Sequence, residues 1–271
     1  MLDRPHVPTS RQPLAILIHG LTGSEDSLYM VSQARMLLDR GMTVLRLNLR
    51  GAGPSRSTCG GQYYAGRSQD FRALLELLPA GLTANGIVAV GYSLGGAMLL
   101  KYLGEEGTAA RLAAAASVSA PIDLSATCRS MMRRRNGVYH RYLLGEMKDE
   151  ATGAGAVLSD AERSAILGTR SIWEYDDVFI APRHDFGGSE DYYERCKPVR
   201  FMPGIRVPTL VVAALDDPWI PGELYRGFDW PATRALQPLL PQAGGHVGFH
   251  GVGDVQPWSD RVVADFLATV S

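Results

Sequence analysis

One pentapeptide of the sequence has the residue types and spacing of a nucleophilic serine site. The stretch Gly91–Gly95 (GYSLG) directly follows an apolar run, Ile87–Val90, and precedes a predicted helix. In a G-x-S-x-G turn between a strand and a helix, the serine backbone is strained, and the glycines on either side avoid clashes. Such a nucleophile elbow exposes the hydroxyl at a helix N-terminus, where the helix dipole favours developing negative charge. Ser93 is therefore the predicted nucleophile.

A serine nucleophile needs a general base and an acid that orients the base. With this motif the chain order is serine, then acid, then histidine. Asp216 and Asp217 end the predicted buried strand 209–215, and only one of these carboxylates can face the histidine. His246 lies between glycines just before the last predicted helix, so we predict it to be the base. His250 is the competing histidine, but it lacks a preceding Gly-Gly pair.

Acyl transfer passes through a tetrahedral oxyanion that needs preorganised N–H donors. The backbone N–H that follows the nucleophile, here that of Leu94, is one predicted donor. The loop His19–Gly23 after the first core strand is expected to supply the other, from Leu21, because the flanking glycines let the backbone turn inward. His19 itself is interpreted as structural, since the base comes last in this chain order.

No cofactor and no metal site are predicted. The remaining histidines, His6, His140 and His184, form no H-x-x-x-H pair and no Cys/His group with metal spacing. The stretch Gly51–Ser55 resembles half of a dinucleotide fingerprint, but it lacks the third glycine and Pro54 interrupts it. We interpret it as the loop after the second strand, backing the His19–Gly23 loop.

The elements that must position these residues alternate between strand and helix. Continuous apolar strands that alternate with helices predict an α/β fold with a mostly parallel central sheet covered on both faces. Every motif above follows the carboxyl end of a predicted strand, where ligands of such sheets bind. The predicted strands are 14–18, 43–47, 87–90, 112–118 and 209–215, and the predicted helices are 27–40, 64–78, 97–103 and 260–270.

The interval of about 125–207 differs from the rest of the chain because it lacks strong strand signals. It falls between two core strands, so we predict a helical cap or lid inserted into a single domain of residues 1–271. Its basic run Arg133–Arg135 is interpreted as a solvated helix face. Four aromatic residues are expected to line an acyl pocket or, as we favour, to form cap core: Trp173, Phe186, Tyr192 and Trp219.

Composition limits the classes of partner. The 271 residues are 46% hydrophobic and 20% charged, with a net charge of −1, which provides no overall attraction to nucleic acid or to an anionic membrane. The apolar runs are too short for an integral membrane segment, and residues 1–13 lack the apolar core of a signal peptide. The expectation is a cytoplasmic protein with a small-molecule substrate and no nucleic-acid partner.

These motifs together resemble the YheT-like α/β hydrolases and their relatives among the larger αβ-hydrolase-domain esterases and lipases. The resemblance runs in order from about residue 14 to the end of the chain. The matching stretches are 19–24, 45–53, 64–67, 91–96, 119–124, 181–182, 192–193, 216–221 and 245–249.

The resemblance implies the α/β-hydrolase fold and hydrolysis of carboxylic esters, with some relatives acting on lipids or phospholipids. It implies a catalytic triad of Ser93, Asp217 and His246 and an acyl-enzyme intermediate. Related hydrolases place the acid four residues before the proline that closes its loop. Counting back from Pro221 selects Asp217, and Asp216 is the alternative acid with a loop-capping or ion-pairing role.

One departure from the family concerns the N-terminal strands that normally precede the His-Gly strand, since this sequence starts almost at that strand. The expectations are a smaller sheet, a trimmed start, or an edge covered by a partner subunit, and both a monomer and a homodimer stay open. Thioesterase, amidase and acyltransferase activity on the same fold are the alternative functions. A non-catalytic binding protein would show a missing triad residue, and all three are present in order.

Overall fold

A seven-stranded sheet forms the centre of the molecule in the computed structural model, which describes residues 1–5 and 12–269; His6 lies outside them. The strand order is β1-β3-β2-β4-β5-β6-β7, and every neighbouring pair is parallel except β1 with β3. The predicted, mostly parallel sheet is therefore confirmed. The strands are β1 (Leu2–Asp3), β2 (Leu14–Ile18), β3 (Thr43–Leu47), β4 (Ile87–Tyr92), β5 (Ala114–Val118), β6 (Thr209–Val212) and β7 (Leu236–Leu239).

Helices cover both faces of this sheet. No helix in the described part of the chain is both long and apolar enough to cross a membrane. The α-helices are α1 (Leu28–Asp39), α2 (Ser68–Leu77), α3 (Ala80–Thr83), α4 (Leu94–Glu106), α5 (Leu124–Met131), α6 (Gly137–Thr152), α7 (Asp160–Gly168), α8 (Ile172–Tyr175), α9 (Ala181–Arg183), α10 (Ser189–Cys196), α11 (Gly222–Arg226) and α12 (Trp258–Thr269).

The central strand β2 shows why two helical layers are needed. All five of its residues are buried, and successive side chains of a strand point to opposite faces of the sheet. Leu14, Ile16 and Ile18 pack with the side chains of α2 and α4, whereas Ala15 and Leu17 pack with those of α1 and α12. A strand that is apolar on both faces is thus shielded from water only in the middle of a three-layer structure.

Residues 124–207, here called the helical insertion, lie between β5 and β6. They contain α5 to α10 and no strand. The insertion has a hydrophobic core of its own, with buried residues such as Met147, Ile166, Tyr175 and Tyr193. This core packs against Leu21 and Leu94, which flank the predicted nucleophile site. The insertion therefore lies over the carboxyl ends of the strands.

The main difference from the predicted elements is the start of α2. The pattern predicts a helix from residue 64, but α2 begins at Ser68. The preceding residues make tertiary contacts instead. The N–H of Ala65 donates to Tyr192 in the insertion, and a Cβ on Gly66 would lie 2.2 Å from the Cys196 sulfur. Packing against α10 therefore overrides the helical pattern at this point.

Candidate active site

The serine of the GYSLG motif occupies a strained turn between β4 and α4. Ser93 has φ 50° and ψ −121°, a backbone conformation that residues with a Cβ rarely adopt. A Cβ on Gly95 would lie 2.4 Å from the carbonyl oxygen of His19, and one on Gly91 would lie 2.6 Å from the carbonyl oxygen of Gly95. The turn has room only for glycine at these two positions, which is the steric reason for the motif's spacing.

A hydrogen-bonded chain of three side chains begins at Ser93. The Nε2 atom of His246 lies 3.1 Å from Ser93 Oγ, and its Nδ1 atom lies 2.8 Å from Asp217 Oδ2. Asp217 Oδ1 accepts the backbone N–H groups of Trp219 and Ile220, at 2.8 and 3.1 Å. When Nδ1–H donates to Asp217, Nε2 presents its lone pair to the Ser93 hydroxyl, as a general base requires.

The two adjacent aspartates have separate contacts. Asp216 Oδ1 accepts the backbone N–H groups of Gly244 and Gly245, each at 2.9 Å, and so fastens the loop that carries His246. Asp217 Oδ2 is the carboxylate oxygen that contacts the imidazole. The structure thus brings Asp217 to His246. Asp216 instead caps the backbone N–H groups of the loop, one of the two roles expected for the alternative acid.

The loop that carries His246 is conformationally strained. Val247 and Phe249 have φ of 53° and 48°, and a β-branched residue adopts such a conformation only when its surroundings enforce it. The N–H of Val247 donates to Ser119 Oγ at 3.4 Å. Ser119, directly after β5, is a supporting residue whose role sequence reasoning missed, although it begins one of the matching stretches, 119–124. The competing histidine, His250, is exposed and does not line the cavity at Ser93.

Both predicted oxyanion donors lie beside the serine. Leu21 and Leu94 line the same cavity as Ser93. Leu94 is the first residue of α4, where backbone N–H groups have no partner within the helix. Among the described residues, neither N–H group has a hydrogen-bond acceptor. Two free donors at a helix start and a glycine-flanked loop are the arrangement that an oxyanion requires.

Two tyrosines fix the loop on either side of Leu21. The N–H of Gly20 donates to the hydroxyl of Tyr29 at 2.9 Å, and the N–H of Thr22 donates to the hydroxyl of Tyr63 at 2.7 Å. These bonds occupy the flanking donors and leave the intervening one free. The tyrosines are contributions that the sequence did not reveal, because Tyr63 lies 41 residues away from the N–H group that it accepts.

Glu150 connects the helical insertion to this loop. The hydroxyl of Tyr63 donates to Glu150 Oε2 at 2.9 Å while it accepts the N–H of Thr22. Burial raises the pKa of Glu150 to about 7, against a smaller opposing effect of the Tyr63 hydrogen bond. A carboxyl group from α6 therefore lies two hydrogen bonds from the backbone of the His19–Gly23 loop.

His19 is buried with both ring nitrogens in contact with backbone groups. Its Nδ1 lies 2.7 Å from the carbonyl oxygen of Gly20, and its Nε2 accepts the N–H of Leu49 at 3.0 Å. Burial lowers the pKa of His19 to about 4, so the ring is neutral at pH 7. These contacts tie the loop after β2 to the loop after β3, in agreement with a structural interpretation of this histidine.

A mostly apolar cavity of about 280 Å³ opens at Ser93 and His246. Much of its wall comes from the helical insertion, including Leu124, Met131 and Leu143. Of the four aromatic residues that were expected in a pocket or a core, Tyr192 and Trp219 line this cavity. Trp173 and Phe186 pack against the core of the insertion instead. The indole of Trp219 lies over the His246 ring with a centroid distance of 4.3 Å.

One carboxyl group in this apolar wall was not predicted. Asp176 is buried, lines the cavity and accepts a hydrogen bond of 2.5 Å from the hydroxyl of Tyr193. Burial raises the pKa of Asp176 to about 7, with a smaller opposing effect of the Tyr193 hydrogen bond. The residue begins a π-helix, Asp176–Ile180, a form that occurs often at functional sites. In the sequence it is hidden within a block rich in acidic and aromatic residues.

Metal ligands do not converge in the part of the chain that the structure describes. Within residues 1–5 and 12–269, no group of three or more His, Cys, Asp or Glu side chains has the geometry to hold a metal ion. The polar side chains that line the cavity include those of Ser93, His246 and Asp176.

Comparison with known protein families matches residues 13–251 to the family of the alpha/beta hydrolase fold. The chain is 31% identical to the "Putative esterase YheT" of Escherichia coli (strain K12) over 267 residues, which are 95% of this chain and 77% of that protein. It is 25% identical to "Phospholipase ABHD3" of Mus musculus over 266 residues, covering 97% of this chain and 65% of that protein.

A solved structure shares the same architecture. The esterase Pf2001 of Pyrococcus furiosus superimposes with a TM-score of 0.65 at 18% identity, covering 96% of this chain and 83% of that one. At this identity the likeness concerns the fold. The chemistry has to be inferred from the side chains at the end of the sheet.

Proposed function

The chain belongs to the α/β hydrolase-fold family, as its motifs predict, and on that premise we propose that it hydrolyses carboxylic esters with Ser93 as its nucleophile. The observation that carries this proposal is the continuous chain of hydrogen bonds from Ser93 through His246 to Asp217 at the opening of an apolar cavity. The esterase and phospholipase names of the relatives support the same class of substrate.

The proposed reaction begins with transfer of the Ser93 hydroxyl proton to His246 Nε2 as Oγ attacks the ester carbonyl. Asp217 stabilises the imidazolium that forms and holds its tautomer. The N–H groups of Leu21 and Leu94 bind the oxyanion. The imidazolium then gives its proton to the leaving alcohol, and an acyl-enzyme on Ser93 remains.

A water molecule completes the cycle. His246 removes a proton from the water as its oxygen attacks the acyl carbon, and the same proton returns to Ser93 Oγ when the carboxylic acid leaves. In this proposal the helical insertion acts as a cap, because its side chains form much of the wall against which the substrate packs. An apolar wall favours an acyl or alcohol group of hydrocarbon character through the hydrophobic effect.

The test compares the wild type with Ser93→Ala on nitrophenyl esters whose acyl chains run from short to long. Loss of the nucleophile is expected to lower turnover by roughly six orders of magnitude, to background. Ser130→Ala is the matched control, since this buried hydroxyl lies in α5, has no hydrogen-bond partner among the described residues and does not line the cavity. We expect the control to retain wild-type turnover.

A second readout identifies the reacting atom. A fluorophosphonate probe is expected to label the wild type on the peptide that contains Ser93, and to leave Ser93→Ala unlabelled. Wild-type turnover in Ser93→Ala, or labelling at another residue, would overturn the assignment. Competing alcohols in the assay distinguish hydrolysis from acyl transfer, because transfer yields a new ester instead of the free acid.

A further inference from the structure

We propose that the surface around the mouth of the cavity binds the surface of an anionic lipid layer and delivers ester lipids from it to Ser93. The surface comprises Met132–Arg135, Val138, Tyr139, Arg141 and Tyr142, and we call it the arginine–tyrosine surface. Delivery rests on the proposed ester hydrolysis, whereas lipid binding does not require it.

The first observation is an exposed set of large apolar side chains. Val138, Tyr139 and Tyr142 are 71%, 54% and 67% exposed, and Met132 is 37% exposed. The first three lie within one turn at the start of α6, where residues three and four apart share a face of the helix. Exposed apolar side chains that cluster in one patch often mark a binding site, whereas single ones do not.

The second observation is the charge around these side chains. Arg133, Arg134, Arg135 and Arg141 are exposed, and none forms an ion pair with an acidic group of the described chain. Residues 124–145 include neither aspartate nor glutamate. The nearby Arg129 behaves differently, since it pairs with Glu190 at 3.2 Å. This local surface is therefore strongly positive although the whole chain has a net charge of −1.

The third observation is the position of this surface relative to the site. Tyr139 and Tyr142 are more than half exposed and also line the cavity that contains Ser93, so they stand at its mouth. Tyr139 packs edge-on against Trp219, which lies over His246. A ligand held at this surface is therefore separated from the imidazole by two aromatic rings.

A lipid layer fits these features better than a folded partner with a matching shape. Tyrosine prefers the interface between headgroups and hydrocarbon, with its ring in the apolar part and its hydroxyl in water. Arginine extends its charge to headgroup level while its aliphatic stem contacts apolar groups. An anionic headgroup surface attracts each such cation by about fivefold in the binding constant. Hydrolysis of an ester lipid then needs no passage of its hydrocarbon chain through water.

The experiment is co-sedimentation of the full chain with vesicles of phosphatidylcholine alone and of phosphatidylcholine mixed with phosphatidylglycerol. We expect binding to the mixed vesicles, weak binding to the neutral ones, and loss of binding at high salt. The variant Arg133→Ser/Arg134→Ser is expected to bind about twenty-five-fold more weakly, from two arginines at about fivefold each. Val138→Ser tests the apolar contribution and is expected to weaken binding as well.

The matched control is Arg35→Ser/Arg234→Ser. Both of these arginines are exposed, and neither forms an ion pair within the described chain; Arg35 lies on α1 and Arg234 just before β7, away from the mouth. The control is expected to bind like the wild type, and so is Ser93→Ala. Turnover of a soluble short-chain ester is expected to be unchanged in Arg133→Ser/Arg134→Ser, because neither residue lines the cavity.

Several results would overturn the proposal. One is equal partitioning of the wild type onto neutral and anionic vesicles, or no partitioning onto either. Another is an equal loss of binding in the control double variant, since binding would then follow total charge. Concentration-dependent dimerisation that Val138→Ser abolishes, without vesicle binding, would assign the surface to a second copy of the chain. If vesicle binding holds while esters are not cleaved, the proposed hydrolysis fails and the docking surface stands.

Discussion

At the scale of single residues, Asp216 and Asp217 show that two adjacent aspartates can have different roles. Both carry the same carboxylate, yet one accepts backbone N–H groups and the other contacts an imidazole. The sequence alone left both open as the acid. Counting back to Pro221 favoured Asp217 only through the resemblance to related hydrolases, and the separate contacts supply a physical reason for it.

This pair yields a prediction with an internal control. Asp217→Asn is expected to lower kcat by about four orders of magnitude, because an amide that donates to Nδ1 favours the wrong imidazole tautomer. Asp216→Asn keeps an oxygen that accepts the N–H groups of Gly244 and Gly245, so we expect less than about a tenfold loss. Steady-state kinetics on one soluble ester measure both. Equal losses in the two variants would contradict these roles.

At the scale of elements, the strand–turn–helix unit of β4 and α4 depends on glycines that close packing demands. Gly95→Ala places a methyl group 2.4 Å from the backbone oxygen of His19, where neither group can move aside. We expect it to lower the free energy of unfolding by about 3 kcal/mol or more. Urea unfolding followed by circular dichroism measures the change.

For a glycine in α6, we expect replacement by alanine to increase stability. Gly145 lies inside the helix, and a Cβ there would meet no atom within 4 Å. Gly145→Ala is expected to raise the free energy of unfolding by about 0.5–1 kcal/mol, since glycine is a poor helix former. If both alanine variants change stability by a similar amount in the same direction, the steric explanation of the motif is wrong.

Elements with strong apolar runs were predictable, whereas those defined by tertiary contacts were not. The predicted bounds of β2 and β3 coincide with the structure because both are short segments rich in apolar residues between clear turn signals. The edge strand β7 was missed, since its sequence Leu-Gln-Pro-Leu has neither alternation nor an apolar run. Inside the helical insertion no periodicity marked the individual helices. Its basic run Arg133–Arg135 enters a 3₁₀ turn between α5 and α6, instead of the helix face predicted for it.

At the scale of the whole molecule, several hydrogen bonds join the insertion to the rest of the fold. Glu150 of α6 accepts from Tyr63, which accepts from the loop that carries Leu21. Asn136 donates to the carbonyl oxygen of Pro218, next to the Asp217 turn. Such pairings join residues far apart in the chain, so one sequence cannot reveal them. The motifs located the candidate reacting groups, and the fold shows which contacts hold these groups in place.

Tyr63 holds the backbone N–H of Thr22, next to the predicted oxyanion donor Leu21. Tyr63→Phe removes the acceptor of the Thr22 N–H and frees the loop that carries one oxyanion donor. Removal of one oxyanion donor lowers turnover by roughly 10²–10³-fold. Because Tyr63→Phe only misplaces the Leu21 N–H, we expect kcat to fall by about tenfold and KM to change little. This pattern marks Tyr63 as a positioning residue that acts on the transition state.

Tyr102→Phe is the matched control for that measurement. Tyr102 is also buried and also accepts a backbone N–H, from Arg111, but it lies beside α2 away from the cavity. We expect its kcat and KM to equal those of the wild type. An unchanged kcat in Tyr63→Phe, or an equal loss of kcat in Tyr102→Phe, would contradict the positioning role.

The two edge strands of the sheet affect whether another chain can pair with it and aggregate. An exposed edge strand with a long row of free N–H and C=O groups is a template onto which another chain can add as a strand. Here β1 is two residues long, and β7 has four residues of which Pro238 has no N–H to donate. Both described edges are therefore poor templates for strand addition. Even at high concentration, growth of this sheet from one molecule into the next is disfavoured by the geometry of its outermost strands.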